Sequence, residues 1–429
     1  MPQARLRFAS SECLAGAEQR ECTRALQPRA SLSGERGAGR RSKMSGVDTI
    51  VVTGASGFIG AHVVKVCVEH GYNVNACVCA PQPALPLSSL HRAPGMSELR
   101  PLPPSRPSPA ALTGPLRRRD RDDPKNEFLT EMNSLGGGKV ELYSADLQER
   151  GAYDDACASA QAVIHVAAVV DPNVIEDPIR DMVEPSTEGV RNILRSVNDN
   201  PAIKHFVQTS SMAAVGGKAD GSPVDELNWN KMGMEGWEQN GNAQVYNHAK
   251  TEAEKIVWVE TRNRGYTVSA INPAMVWGPS LAKAHAKTSV FVFRQALYGN
   301  PQPNPDFSVV DVRDVALAHL LCIEKCDVAD GKRFILDGDG YAGDAARGNL
   351  IALNDVIQKC RELLPQYEFT DAPEPYTGRD IQPGQRTTDN TASREILGLV
   401  YTDMADTFKD SVTSMVDNGF VPAKPAAKL

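Results

Sequence analysis

The sequence contains no long hydrophobic run. Its longest, Ala162 to Val170 (AVIHVAAVV), falls well short of the roughly 20 apolar residues that a bilayer-spanning helix requires, so no membrane span is expected. It also lacks metal-site cysteine spacing. Nine cysteines are scattered along 429 residues, and the two tight groupings, Cys77 with Cys79 and Cys322 with Cys326, do not make the repeated pairs of a structural zinc site. The expectation is no metal, and reduced structural thiols in an intracellular, cytoplasmic protein. Positive charge is scarce too. The net charge is −7, but residues 1–43 hold nine Lys or Arg against four Glu, and residues 79–119 hold six Arg against one Glu, which leaves −17 on the rest. So acidic a body argues against a nucleic-acid partner, because phosphate backbones are bound by a concentrated basic face.

What the chain does have is alternation. At 41% hydrophobic it can bury a large core, and from Asp48 onward short β-rich runs alternate with amphipathic stretches. The runs DTIVVTG, YNVNACV, KVELYSA, AVIHVAA, KHFVQTS and YTVSAIN read as strands with helices between most of them. This pattern predicts an α/β fold with a doubly wound parallel sheet of Rossmann type over residues 44–276. Beyond Pro273 the alternation fades. Residues 277–429, which include a late strand around RFILDG, read as a smaller substrate lobe with part returning to the Rossmann core. Two segments fit no packed element: residues 1–43, rich in Arg, Ala and Ser, and residues 80–118, which carry ten of the 29 prolines.

Three patterns carry chemistry. TGASGFIG, Thr53 to Gly60, lies between the first strand and a helix. Gly54 permits the sharp turn, Gly57 lets backbone approach a pyrophosphate, and Gly60 lets the helix pack on the sheet. The N–H groups around Ser56, Phe58 and Ile59 then open a helix whose N-terminus suits phosphate. QVYNHAKTEAEKIVWVE reads as a helix that sets Tyr246 and Lys250 one turn apart on one face. A phenol with an ordinary pKa of ~10 needs about 4 kcal/mol of help to exchange a proton near neutrality, and a lysine charge at about 4 Å is sufficient. Finally, KHFVQTSSMAAVGG ends a strand in Ser210 and Ser211, where a serine either hydrogen-bonds a substrate carbonyl or caps a turn.

Together with ADL at Ala145 to Leu147, VIHVAA, INPAMVWGP and VDVRDVALAH, these motifs make the chain resemble the extended short-chain dehydrogenase/reductases of the NAD-dependent epimerase/dehydratase superfamily. Within that family it is most similar to dihydroflavonol-reductase-like and fungal ketone or aldehyde reductases. The resemblance implies NADP-dependent reduction of a small ketone or aldehyde. Ser211 would polarise the carbonyl, Tyr246 would supply the proton, and Lys250 would hold the cofactor ribose. Asp146 and Leu147 would flank the adenine, Ala167 would line the cofactor, and Pro273 to Val276 would pass the nicotinamide. One position departs from the pattern. Where many relatives have asparagine in the helix before GVRNIL, this chain has EPSTEG, with Ser186 or Thr187 near the site, so no asparagine relay is carried over. His165 reads as a strand residue beside the cofactor, while Trp229, Trp237 and Trp277 either line a pocket or pack.

Two other functions compete. A nucleotide-sugar epimerase or dehydratase would share the fold, although a dehydratase usually places an Asp-Glu pair where this chain has MAAV, and a non-catalytic NAD(P) sensor has no need of Ser211, Tyr246 and Lys250 together. Cofactor choice falls at the end of the second strand. Val78 stands where NAD-preferring relatives place an acid, so NADP is expected over NAD. The arginine that should follow is displaced to Arg119, and joining Val78 to Arg119 gives NACVRDRDDPKNEF, a normal strand end and helix. Residues 79–118 therefore read as an insertion foreign to the fold, such as a retained intron, with a genuine surface loop as the alternative. Residues 1–43 are expected either to precede a true start at Met44 or to form an organellar leader. The sequence leaves the substrate and the oligomeric state open.

Overall fold

The three-residue core of the first strand, Ile50, Val51 and Val52, shows how the sheet is built. Ile50 and Val52 face one buried apolar cluster and Val51 faces another, because successive side chains of a strand point to opposite sides. A sheet buried on both faces demands helices on both. The computed structural model describes residues 43–79, 123–169, 177–218, 221–235, 237–299, 306–340, 349–370 and 387–421. The expectations that fall on residues 1–42, on most of the 79–118 segment and on Arg119 lie outside these.

Strands β1 (Thr49–Thr53), β2 (Asn73–Val78), β3 (Val140–Ser144), β4 (Ala162–His165), β5 (His205–Thr209) and β6 (Thr267–Pro273) match the six predicted runs. Strands β7 (Met275–Trp277), β8 (Asp306–Asp311), β9 (Lys332–Leu336) and β10 (Leu350–Ala352) follow. Seven form one parallel sheet in the order β3-β2-β1-β4-β5-β6-β9, so the late strand returns to the main sheet beside β6. The remaining three make a small second sheet, β10-β8-β7, that the sequence pattern did not predict.

Among the described residues seven longer helices cover these sheets: α1 (Phe58–Glu69), α2 (Glu184–Asp199), α3 (Asn242–Glu260), α4 (Thr288–Tyr298), α5 (Val312–Glu324), α6 (Leu353–Leu363) and α7 (Met404–Asp417). α1 packs against α5 on one face and α2 against α3 on the other. The buried stripe of α3, Val245, Ala249, Ala253 and Val257, repeats every four residues, as one face of a helix requires. Trp277 is 1% exposed and packs against Phe293 and Phe408 as a core residue. Strand order reverses between β1 and β4. Sheets of this kind bind ligands in the crevice at the carboxyl ends of those two strands.

Candidate active site

At that reversal the backbone turns out of β1 through Gly54, whose φ of +63° belongs to the left-handed region. A side chain there would also sit 2.9 Å from the backbone of Ala167, which follows β4. Gly60 is constrained differently, since a Cβ on it would collide with the Gly54 carbonyl as α1 packs on the turn. Gly57 caps α1, and among the described residues a Cβ on it would meet only the Gly54 carbonyl, at 3.2 Å. Gly57 itself is exposed.

Thr53, which was not singled out from the sequence, ties the crevice together. Its Oγ1 accepts the amides of Val166 and Ala167, each at 3.1 Å, and lies 2.8 Å from His165 Nδ1. With both lone pairs used, the hydroxyl gives its proton to Nδ1, which fixes the imidazole as neutral. Burial, and then the charge of Lys250, push the His165 pKa down to about 3. His165 is therefore a neutral strand residue, and the Lys250 ammonium is felt at this crevice.

Lys250 is 9% exposed on α3, and its Nζ lies 5.9 Å from the centre of the half-buried Tyr246 ring. The two serines after β5 have different surroundings. Ser210 is buried, and its Oγ donates to Glu254 at 2.5 Å. Ser211 is half-buried and caps the short helix Met212–Val215, with its Oγ accepting the Ala213 amide at 3.1 Å. Capping occupies one lone pair and leaves the hydroxyl proton for a ligand oxygen, so the two expected uses of Ser211 are compatible.

The other expected cofactor residues fall as follows. Asp146 and Leu147 follow β3, where Asp146 Oδ1 accepts the Gln148 amide at 2.9 Å and the Leu147 side chain lies against Gly189 of α2. Asn192 holds the Leu147 carbonyl at 2.9 Å. Thr187 Oγ1 donates back to the Val183 and Glu184 carbonyls. Pro273 and Val276 are buried, whereas Ala274 and Met275 between them are half-buried. Trp229 stacks on the Arg333 guanidinium at 3.9 Å. Among the described residues no cluster of His, Cys, Asp or Glu could hold a metal, and no helix is long and apolar enough to cross a membrane.

The profile of the NAD dependent epimerase/dehydratase family matches residues 50–336, from the first strand to the end of β9. The chain belongs to that family. Among its relatives in the epimerase/dehydratase family is a putative NADPH-dependent methylglyoxal reductase, GRP2, of Candida albicans, 27% identical over 87% of this chain and 100% of that one. The dihydroflavonol 4-reductase of Zea mays is 25% identical over 92% of this chain and 94% of its own length. In fold, the chain is similar to the yeast methylglyoxal/isovaleraldehyde reductase Gre2 complexed with NADPH. There the TM-score is 0.64 at 22% identity, over 87% of this chain and 99% of that structure.

Proposed function

We propose that this protein is an NADP-dependent carbonyl reductase acting on a small ketone or aldehyde, or in reverse on the corresponding alcohol. The observation that carries the reading is the 5.9 Å approach of Lys250 Nζ to the Tyr246 ring on α3, and it is supported by Ser211 directly after β5 and by the glycine turn directly after β1. The relatives named above, two of them reductases of small carbonyl compounds and one of a dihydroflavonol, support the same class.

The residues fit a dinucleotide. Gly54 and Gly60 are closed to any side chain while Gly57 is exposed, and the N-terminus of α1, whose first N–H groups lack intrahelical acceptors, would hold a pyrophosphate. Ala167, Asp146 and Leu147 would hold the adenosine side, and Ala274 and Met275, between Pro273 and Val276, the nicotinamide side. When bound, the nicotinamide supplies the two-electron reduction. The chain supplies the rest: Ser211 donates a hydrogen bond to the carbonyl oxygen, and Tyr246 delivers the proton to that oxygen as negative charge develops there. Lys250 favours the phenolate left behind and holds the ribose. The short helix after Ser211 reads Met-Ala-Ala-Val and brings no carboxylate to the site, which disfavours a sugar dehydratase. Turnover of NADPH and NADH against a panel of ketones, aldehydes, dihydroflavonols and nucleotide sugars tests the reading. NADPH-dependent loss of a carbonyl substrate is expected, and turnover of nucleotide sugars alone would overturn it.

A further inference from the structure

Behind Lys250, one turn along α3, lies a carboxylate with no part in the chemistry above. Glu254 is completely buried and collects five hydrogen bonds. Its Oε2 accepts from Ser210 Oγ at 2.5 Å, Asn272 Nδ2 at 2.9 Å and Arg333 Nη2 at 3.1 Å. Its Oε1 accepts from Arg333 Nε at 2.6 Å and Trp258 Nε1 at 3.1 Å. One carboxylate thus joins α3 to the ends of β5, β6 and β9.

The other arm of Arg333 extends the connection. Its Nη1 donates to the carbonyls of Glu226, at 3.0 Å, and Asn228, and Trp229 covers the guanidinium face. Two residues on, Asn230 turns back toward the serines. Its amide donates to the Ala214 carbonyl at 2.9 Å, and its Nδ2 to the Ala213 carbonyl at 2.7 Å. Both carbonyls belong to the short helix that Ser211 caps. The connections therefore close on themselves, from Glu254 through Ser210 to Ser211 and its helix, then through Asn230 and Asn228 to Arg333 and back to Glu254. Asn272 braces the ring from inside, sharing its Nδ2 between Glu254 and the Ser211 carbonyl, the latter at 3.1 Å.

We propose that Glu254 and Arg333 are positioning residues that hold Ser211 in register with Tyr246 and Lys250. A buried ion pair is a poor source of net stability, since desolvation offsets its attraction, but its short directional bonds restrict where the joined elements can sit. Misplacing a catalytic group by about 1 Å can cost ~100-fold in rate. The inference rests on the carbonyl-reductase reading for its kinetic consequences and on the ring itself for its structural ones.

Arg333→Lys is the informative variant, because it keeps a cation beside Glu254 and removes the reach to Glu226 and Asn228. Expected is a fall in kcat of about tenfold with NADPH Kd within twofold, and a fall of less than twofold when the change is made in a Ser211→Ala background. A merely structural role would lower both backgrounds alike. Ser210→Ala, which removes one link and leaves the ion pair intact, should show the same dependence on Ser211 at smaller size and serves if Arg333→Lys does not fold. Hydrogen exchange reads the ring without turnover: the amides of Ala214, Gly216 and Asn230 should exchange faster in Arg333→Lys, while those of α1 do not change. If the wild type reduces no carbonyl, the functional reading fails and exchange alone decides the ring. Equal kinetic effects in both backgrounds, a parallel loss of NADPH affinity, or unchanged exchange at those amides would overturn the inference.

Discussion

The glycine turn from Thr53 to Gly60 and the ring of side chains around Ser211 are held by opposite means. The turn is made mostly by neighbours in sequence, since Gly57 N donates to the Gly54 carbonyl, Ala61 N donates to the Gly57 carbonyl and Gly60 packs on Gly54, while Ala167 and Cys77 brace it from the neighbouring strands. The ring is made by residues far apart. Ser210 and Glu254 are 44 positions from each other, Glu254 and Arg333 are 79, and Asn228 and Arg333 are 105. A phosphate site built on backbone N–H groups needs only a local conformation, whereas orienting a hydroxyl and a phenol against one substrate atom needs several elements locked together. On this account, damage to the turn should act on cofactor affinity and damage to the ring on turnover.

The largest expected effect tests the turn. Gly60→Val forces a branched side chain against the Gly54 carbonyl, and overpacking of this kind costs up to about 3 kcal/mol. If that strain falls on the turn, NADPH Kd rises by about 100-fold. Isothermal titration, with thermal unfolding as the check on folding, measures it. Unchanged NADPH affinity in a folded Gly60→Val protein would break the comparison.

Acid should weaken both regions together, because each contains a buried threonine–histidine pair. Thr53 pairs with His165 at 2.8 Å beside the turn, and Thr209 pairs with His319 at 2.7 Å beneath the serines. Burial lowers the pKa of His165 to about 3, and those of His319, His62 and His285 to about 4. The unfolded chain then takes up protons near pH 6.5 before the folded one does, so stability is full above that pH and falls as pH drops toward 4. Each ring contributes about 3 kcal/mol to the loss. Asp314 acts in the opposite sense: burial raises it to about 6, so its protonation on acidification relieves the fold and offsets roughly one ring. The midpoint of thermal unfolding should be flat above pH 7 and drop steeply between 6 and 4. A midpoint independent of pH over that range would contradict the neutral burial of these histidines.

The smallest effect concerns the second strand. β2 ends at Val78, and the described chain resumes at Asp123, which caps the helical turn Pro124–Asn126 by accepting the Lys125 amide at 3.0 Å. Deleting residues 79–118 brings Arg119 next to Val78, and NADPH should then bind several-fold more tightly, with Arg119→Ala reversing the gain. Equal Kd values for full chain, deletion and reversal would remove Arg119 from the cofactor site.

The two regions also differ in what could be read in advance. β1 to β6 were legible because each is a β-rich run bounded by turn residues, and the glycine spacing located the turn. β7 and β10 have only three residues each, too few to show a period, and β8 pairs with both of them across long connections. The residues alone did not separate Ser210 from Ser211, and only the family resemblance singled out Ser211. What separates them is burial, since Ser210 turns in to Glu254 and Ser211 stays half-buried. Glu254 was visible as one more residue of an amphipathic helix, but nothing local reveals an arginine 79 positions away. Arg333 looks like an ordinary strand charge until β9 is placed beside β6.

The central claim is that Tyr246 supplies the proton while the turn, independently, holds the dinucleotide. It is tested most directly by Tyr246→Phe, with kcat on the best carbonyl substrate and NADPH Kd measured on the same preparation. A loss of about 100-fold or more in kcat at an NADPH Kd within twofold of wild type is predicted, since the phenol proton is needed only in the chemical step. A Tyr246→Phe protein that kept more than about a tenth of the wild-type kcat would contradict the claim.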